Sequence, residues 1–257
     1  MQKKSLGQHW LTDPQVLEAI AEYGEIEKHD TVLEIGPGLG TLTEKLLQQA
    51  GHVIAVEIDR DLAGNLSKKQ ADNLMVVQGD VLKFDLTQLP VGYKVVANIP
   101  YYLTSNLIKV LSESVNPPTI MVLLVQKEVA QRIAAHPGQM SILAVSAQLY
   151  HKTELGTVVP AEMFDPPPKV DSQVIILTKH SHPLFKDLDT KLFFKLVKAG
   201  FSTKRKKLIS SLAGGLNLSK PQVNLMLENA KIDPNLRAQN LSLTDWHAIY
   251  IAFKGLL

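Results

Sequence analysis

Between Thr31 and Val125 short apolar runs alternate with stretches of helical composition, and this rhythm restricts the fold more than any other feature of the chain. Thr31 to Ile35, Val53 to Ile58, Leu74 to Val77, Lys94 to Ala97 and Thr119 to Val125 read as strands buried on both faces. Thr41 to Gln49, Arg60 to Lys69 and Ser105 to Leu111 read as the helices between them. Alternation of that kind implies an α/β fold with an open, doubly wound, mostly parallel sheet. Such sheets take their ligands outside the carboxyl ends of the strands, so the residues just after each strand are the first candidates for a site.

A helix precedes the first strand, with Asp13 as its cap, Pro14 at its first position and Val16, Leu17 and Ile20 on its apolar face. Upstream, Lys3 to Leu11 is a polar segment holding one tryptophan, able either to lie over a ligand or to pack on the sheet. Beyond the fifth strand, helices are expected near Lys127 to Ala134 and Met140 to Tyr150. The prolines 166 to 168 then stiffen a loop, and Gln173 to Leu177 returns as a strand that closes the sheet. From His180 the apolar period becomes 3.6. Helices are expected over Asp189 to Ala199, Thr203 to Leu212, Pro221 to Glu228 and Thr244 to Phe253, with Ser202, Ser219 and Ser242 as caps. The chain therefore divides into an α/β domain, 1–180, and a small all-helical domain, 181–257.

Composition removes several classes of function. With no cysteine, there is no thiolate metal site, disulfide framework or cysteine nucleophile, and a reducing compartment is indicated. The eight histidines form no H-E-x-x-H, so no metal is expected, and no G-x-S-x-G elbow exists. The run Ile120 to Val125 is too short to span a bilayer and the start lacks an apolar secretory segment, so a soluble cytoplasmic protein with no membrane partner is expected. The net charge of +2 hides an asymmetry. Residues 1–178 hold 14 Lys/Arg against 20 Asp/Glu, and residues 179–257 hold 13 against 5, so that −6 faces +8. A polyanionic partner for the helical part is one reading, and a solvated basic face is the other.

The strand ends carry the chemistry. Glu34-Ile35-Gly36-Pro37-Gly38-Leu39-Gly40 joins a strand to a helix with three glycines, of which Gly36 and Gly38 allow a ligand close to the backbone. Its G-x-G-x-G spacing is neither the dinucleotide fingerprint nor a P-loop. Glu57 ends the second strand, where a carboxylate can accept two ribose hydroxyls, and Asp80 follows the third, where it can accept an adenine amino group. Carboxylates repel phosphates but suit a cationic adenosine, so S-adenosylmethionine fits better than NAD; singly, each carboxylate could be a helix cap or a surface charge. The fourth strand ends in Asn98-Ile99-Pro100-Tyr101. An exocyclic amine on a base is a poor nucleophile because its lone pair is delocalised into the ring. An Asn oxygen and a backbone carbonyl, held by a turn that Pro100 stiffens, can accept both amino hydrogens and localise that pair. Tyr101 offers a stacking face for the base, and Phe164 on the proline loop could close the other, although both could equally be packing residues.

In the helical part Lys191, Lys195 and Lys198 form one stripe opposite Leu192, Phe193, Leu196 and Val197. Lys204, Arg205, Lys206 and Lys207 are expected in the first turn of a helix, where the macrodipole disfavours cations. Phosphates held by these side chains and by the free amides of that turn would compensate; solvent and salt screening is the alternative.

In this order and spacing, Gly7-Gln8-His9-Trp10-Leu11, Glu34 to Gly40, Glu57, Gly79-Asp80-Val81, Asn98 to Tyr101, Phe164 to Ser172 and Phe201 to Leu212 resemble the KsgA family of ribosomal RNA adenine dimethyltransferases, over Lys3 to about Leu243. The resemblance implies a Rossmann-like S-adenosylmethionine-dependent methyltransferase domain followed by an rRNA-docking domain. It implies that His9, Leu11, Gly36, Glu57, Asp80 and Asn98 contact the cofactor and that Asn98, Tyr101 and Phe164 handle the adenine. Trp10 stands where the family usually has Phe. The implied reaction is N6,N6-dimethylation of two adjacent adenosines near the 3′ end of 16S rRNA, on a pre-30S particle late in small-subunit assembly, by a monomer. The Erm methyltransferases of large-subunit rRNA share the N-terminal motifs, but the C-terminal sequence is more similar to the KsgA branch. DNA adenine methyltransferases more often have Asn/Asp-Pro-Pro-Tyr where Ile99 stands here. A non-catalytic assembly or transcription factor on the same fold is the remaining alternative, against which every cofactor and target position carries a competent residue.

Overall fold

A computed structural model describes residues 9–256. The elements are β1 (Trp10–Leu11), α1 (Pro14–Glu22), β2 (Thr31–Ile35), α2 (Thr41–Gln49), β3 (His52–Glu57), α3 (Arg60–Leu66), β4 (Leu74–Gln78), β5 (Lys94–Asn98), α4 (Thr104–Ser112), β6 (Ile120–Gln126), α5 (Lys127–Ile133), α6 (Ile142–Tyr150), β7 (His151–Val159), β8 (Phe164–Asp165), β9 (Ser172–Lys179), α7 (Thr190–Phe201), α8 (Leu208–Leu216), α9 (Lys220–Asn229) and α10 (Leu243–Lys254).

Seven strands form one sheet in the order β4-β3-β2-β5-β6-β9-β7, the first five parallel and β9 antiparallel to both of its neighbours, β6 and β7. The expected mostly parallel sheet is present. Val32, Val53, Val96, Val122 and Leu124 of its strands are buried in one cluster with Leu17, Ile20, Leu42 and Leu46 of α1 and α2. Local chemistry sets the start of α1 as the sequence requires: the Asp13 carboxylate accepts the amides of Gln15 and Val16, with Pro14 at the first position. The chain runs β2, β3, β4 outward in one direction and then returns to place β5 on the other side of β2, which makes the β2–β5 seam the switch point. That seam is paired only at Val32↔Lys94 and Leu33↔Val95. Past Leu33 the two strands share no further pair, and a crevice opens between their carboxyl ends.

Two departures from expectation concern the far edge and the division of the chain. Gln173 to Leu177 lies within β9, but β9 is the penultimate strand, and β7 closes the sheet. Of the N-terminal segment read as Lys3 to Leu11, Lys3 to Gln8 lie outside the described residues; His9 is described, and Trp10 and Leu11 form β1, pairing antiparallel with β8 through Trp10↔Asp165 and Leu11↔Phe164. Compact packing groups the chain up to Gln131 with His151–Lys179, and Arg132–Tyr150 with His180 onward. A single cut at 180 therefore does not separate the two units. The reason is α6, whose Ala144, Val145 and Leu149 are buried in the core of the helical unit with Phe193, Leu196, Met226 and Trp246.

Within the helical unit Ser219 and Ser242 cap α9 and α10, each in a reciprocal capping box, with Gln222 and Asp245 respectively. Ser202 does not cap a following helix. It closes α7, and α8 begins only at Leu208. Residues 203–206 form a turn closed by the Lys206 amide on the Thr203 carbonyl, which keeps three of the four consecutive cations out of a helical first turn and leaves Lys207 at the cap. Gly200 is where α7 meets α10: a Cβ there would lie 2.3 Å from the Trp246 ring, which is fully buried. We expect Gly200→Ala to destabilise the protein by about 1–3 kcal/mol through overpacking, read as a lower urea midpoint. An unchanged midpoint would mean that Trp246 can move aside.

Candidate active site

The crevice at the β2–β5 seam is a cavity of about 320 Å³. Four strand ends and the N-terminal segment supply its walls, and Glu34, Gly36, Gly38, Glu57, Asp80, Asn98, Pro100, Tyr101, His9 and Leu11 all line it. The residues selected for the cofactor and the target base therefore meet in one place, with one exception. Phe164 is only 4% exposed, buried in the core beside its β1 partner Leu11, and it is not part of the crevice lining. Pairing between β1 and β8 uses Phe164 as packing, so the expectation that it closes over a base is corrected.

The glycine turn is shaped by hydrogen bonds as much as by sequence. The Gly36 amide donates to the Val56 carbonyl at 2.9 Å, and the Gly40 amide donates to the Pro37 carbonyl at 2.8 Å. Gly38 has a φ of +57°, and a Cβ there would sit 2.3 Å from the Trp10 ring. The indole thus lies directly on the turn, which is why glycine is required at 38 and why an aromatic stands at 10. Leu11 is tied down by its carbonyl, which accepts the Thr41 hydroxyl at 2.9 Å. His9 Nδ1 donates to the Pro166 carbonyl at 2.8 Å, a bond that fixes the tautomer. We expect Gly38→Ala to weaken adenosyl-ligand binding at least tenfold, about 1.4 kcal/mol, because the ring must leave the turn. Calorimetric titration checks it, and unaltered affinity would show that the ring position is immaterial.

The carboxylates differ in what holds them. Glu57 is buried, with Oε2 accepting the Gly38 amide at 3.1 Å and Oε1 the Asp59 amide at 2.8 Å. Each oxygen retains one lone pair for a ligand hydroxyl. Asp80 Oδ1 accepts the Leu82 amide at 3.0 Å. Glu34, 1% exposed, has an Oε2 with no hydrogen-bond partner among the described residues; the Thr43 hydroxyl lies beside it outside hydrogen-bond geometry. Burial pushes the Glu34 carboxyl up to about 8, with the Glu57 charge adding to the rise and Thr43 and Lys69 opposing it. No lysine or arginine lines the cavity among the described residues.

At the end of β5, Asn98 is half-buried, and its side-chain amide has no partner among the described residues. The Pro100 carbonyl already accepts the Leu103 amide at 2.9 Å, which leaves Ile99 to offer the turn's acceptor carbonyl. Tyr101 is anchored by a 2.7 Å hydrogen bond between its hydroxyl and that of Ser172, and burial raises its phenol above the ordinary range. The His9 ring stacks at a centroid distance of 6.1 Å and 20° from parallel with Tyr101. Ile58, Leu82 and Tyr102 also line the cavity. Sequence reading passed over them; the one available signal was an apolar residue continuing past a strand end, as Ile58 does after Glu57.

In the helical unit Lys191, Lys195 and Lys198 are exposed along α7, and Lys204 to Lys207 are all exposed. The expectation of free amides at the following helix start is corrected. The Leu208 amide donates to the Leu236 carbonyl at 2.7 Å and the Ile209 amide to the Pro234 carbonyl at 3.3 Å, so that terminus is already satisfied by the chain. Lys207 Nζ is bound to Asn235 Oδ1 at 2.7 Å. Any phosphate contact there must come from side chains.

The family described as ribosomal RNA adenine dimethylase matches residues 1–254. A ribosomal RNA small subunit methyltransferase A from Dehalococcoides mccartyi is 41% identical over 98% of this chain and 89% of its own length. One from Streptococcus thermophilus is 40% identical over 98% and 92%. Among solved structures, a dimethyladenosine transferase from Plasmodium falciparum superposes with a TM-score of 0.83 at 29% identity, covering 96% of this chain and 98% of that one. The 23S rRNA methyltransferase ErmE gives 0.78 at 26%, covering 95% and 99%.

Proposed function

Because the chain belongs to the family of ribosomal RNA adenine dimethylases, we propose that its crevice uses S-adenosylmethionine to convert two adjacent adenosines of small-subunit 16S rRNA to N6,N6-dimethyladenosine. The donor fits on the chemistry of the lining: three carboxylates, one of them with an orphaned oxygen, and no lysine or arginine for a phosphate. When bound, it supplies an electrophilic methyl group on a sulfonium. Glu57 accepts the ribose hydroxyls through the lone pairs its two amide bonds leave free, and the outer oxygen of Asp80 accepts the adenine amino group. Gly36, Gly38, Leu11 and His9 form the close wall.

Asn98 is the observation that carries the reading. An amide oxygen with no partner among the described residues, at the mouth of a carboxylate crevice, is poised to accept one N6 hydrogen of a target adenine, while the Ile99 carbonyl accepts the other. Together they draw the nitrogen lone pair out of conjugation and aim it. Pro100 stiffens the turn, and Tyr101, held by Ser172, gives the base a face to stack on. The helical unit docks the RNA through Lys191, Lys195, Lys198 and Lys204 to Lys207, whose side chains replace phosphate counterions. We place the reaction in the cytoplasm, on a pre-30S particle, with the enzyme a monomer; no helix among the described residues is long and apolar enough to cross a membrane.

The test is incubation with tritiated S-adenosylmethionine and unmethylated 30S or 50S particles, followed by mapping of the labelled nucleotides. Two adjacent labelled adenosines in 16S rRNA are expected. Label in the 50S particle would favour the Erm-like activity, and none in either would favour a non-catalytic factor.

A further inference from the structure

Val32 and Glu34 project from the same face of β2, and Val32 is packed with Leu42 and Leu46 of α2. Glu34 is thus a carboxyl group set into an apolar layer, one residue past the last β2–β5 pair, where the crevice begins. Glu57 on β3 is its nearest carboxylate by effect, and the two are treated unequally by the backbone. Glu57 receives two amide protons. Glu34 Oε2 receives none and is sealed from solvent. The cation acting on it, Lys69, is engaged by Glu44 of α2. His9, Asp80, Tyr101 and Tyr102 are the other ionisable groups lining the crevice.

Two carboxylates in one desolvated pocket do not both ionise cheaply, and the one that receives no amide proton keeps its own. We infer that Glu34 is a carboxylic acid in the empty crevice and becomes the counter-ion of the cationic donor, so that donor binding expels one proton to solvent. The step balances as neutral Glu34 plus cationic donor giving the carboxylate–donor pair and a released proton. A neutral crevice floor also lowers the cost of leaving the cavity unfilled, because no unpaired charge is then stranded there. The inference rests on the donor reading above and adds a residue to it: Glu34 entered that reading only as part of the glycine turn.

Titration calorimetry of S-adenosylmethionine into the full-length protein near pH 7, in buffers of different ionisation heat, counts the protons directly. Close to one proton released per donor is expected, together with affinity that weakens by about tenfold per pH unit on going from pH 7 to 6. Glu34→Gln should release none and flatten that dependence, whereas His9→Asn should keep the release. Binding without release, or release that vanishes in His9→Asn and persists in Glu34→Gln, overturns the inference and leaves the donor reading standing. Should Glu34→Gln fail to fold, the wild-type profile decides: release must fade above about pH 9, once the empty crevice has already ionised, and constant release there overturns the inference. Failure of the donor to bind at any pH would sink both.

Discussion

Asn98→Ala is expected to slow methyl transfer by about 10²- to 10³-fold, the usual cost of removing one preorganised polar group aimed at the reacting atom. Affinity for the ribosomal particle should stay close to wild type, since the cations proposed to attract RNA lie in the helical unit. Donor affinity should fall less than turnover, because the proposed adenosine contacts, Glu57 and Asp80, line the crevice independently of Asn98. Single-turnover transfer from tritiated donor, with filter binding of the particle alongside, separates the three quantities. The truncation leaves the turn's proline and the Tyr101–Ser172 bond in place, so a loss confined to turnover identifies the amide as the group that prepares the nucleophile. Unchanged turnover would remove Asn98 from the mechanism and with it the reading of β5 as the target-base end of the site.

Replacing Lys204, Arg205, Lys206 and Lys207 together by glutamine should weaken particle binding and shallow its salt dependence. Each phosphate contact contributes roughly 0.7–0.9 to the slope of log affinity against log salt, so loss of the cluster should reduce the slope by about two to three. Lys207 contributes least, because its ammonium is already bound to Asn235. Since the amides of Leu208 and Ile209 are satisfied by Leu236 and Pro234, little binding should survive through the backbone. The same substitutions leave α8 its core residues Leu208 and Leu212, so thermal stability should hold. Equal affinity and an equal slope would move the RNA surface away from this loop. Substituting Lys191, Lys195 and Lys198 separately would then show whether α7 carries it.

Much of this architecture is legible in the sequence because the buried parallel strands announce themselves. Thr31–Ile35 and Thr41–Gln49 emerge with the boundaries that their composition implies. The strand-end rule likewise picks out Glu57, Asp80 and Asn98, which all line the crevice, although Glu57 and Asp80 also accept backbone amides there. What escapes is set by longer-range packing. β7 lies at the sheet edge with most of its residues outside the core and a register shift between Leu155 and Val158, so it has no clean period to read. α6 carries apolar residues of the kind that suit either unit, and only the contacts of Ala144 and Leu149 assign it. Phe164 beside three prolines resembles an exposed clamp. Its pairing with Leu11, more than 150 residues earlier, turns it inward. Four cations in a row disguised the start of α8, since charge repulsion there is relieved by not being helical at all.

The ribbon of β1 and β8 has a consequence for the newborn protein. Trp10 and Leu11, which line the crevice, are held in a two-stranded pairing by Asp165 and Phe164 from well past the chain's middle. A nascent polypeptide halted after Tyr101 has already acquired the glycine turn, Glu57, Asp80 and Asn98, yet Leu11 and Trp10 have nothing to pair with until Phe164 and Asp165 leave the exit tunnel. The placing of Trp10 and Leu11 beside the glycine turn is therefore completed only after Phe164 and Asp165 have been made.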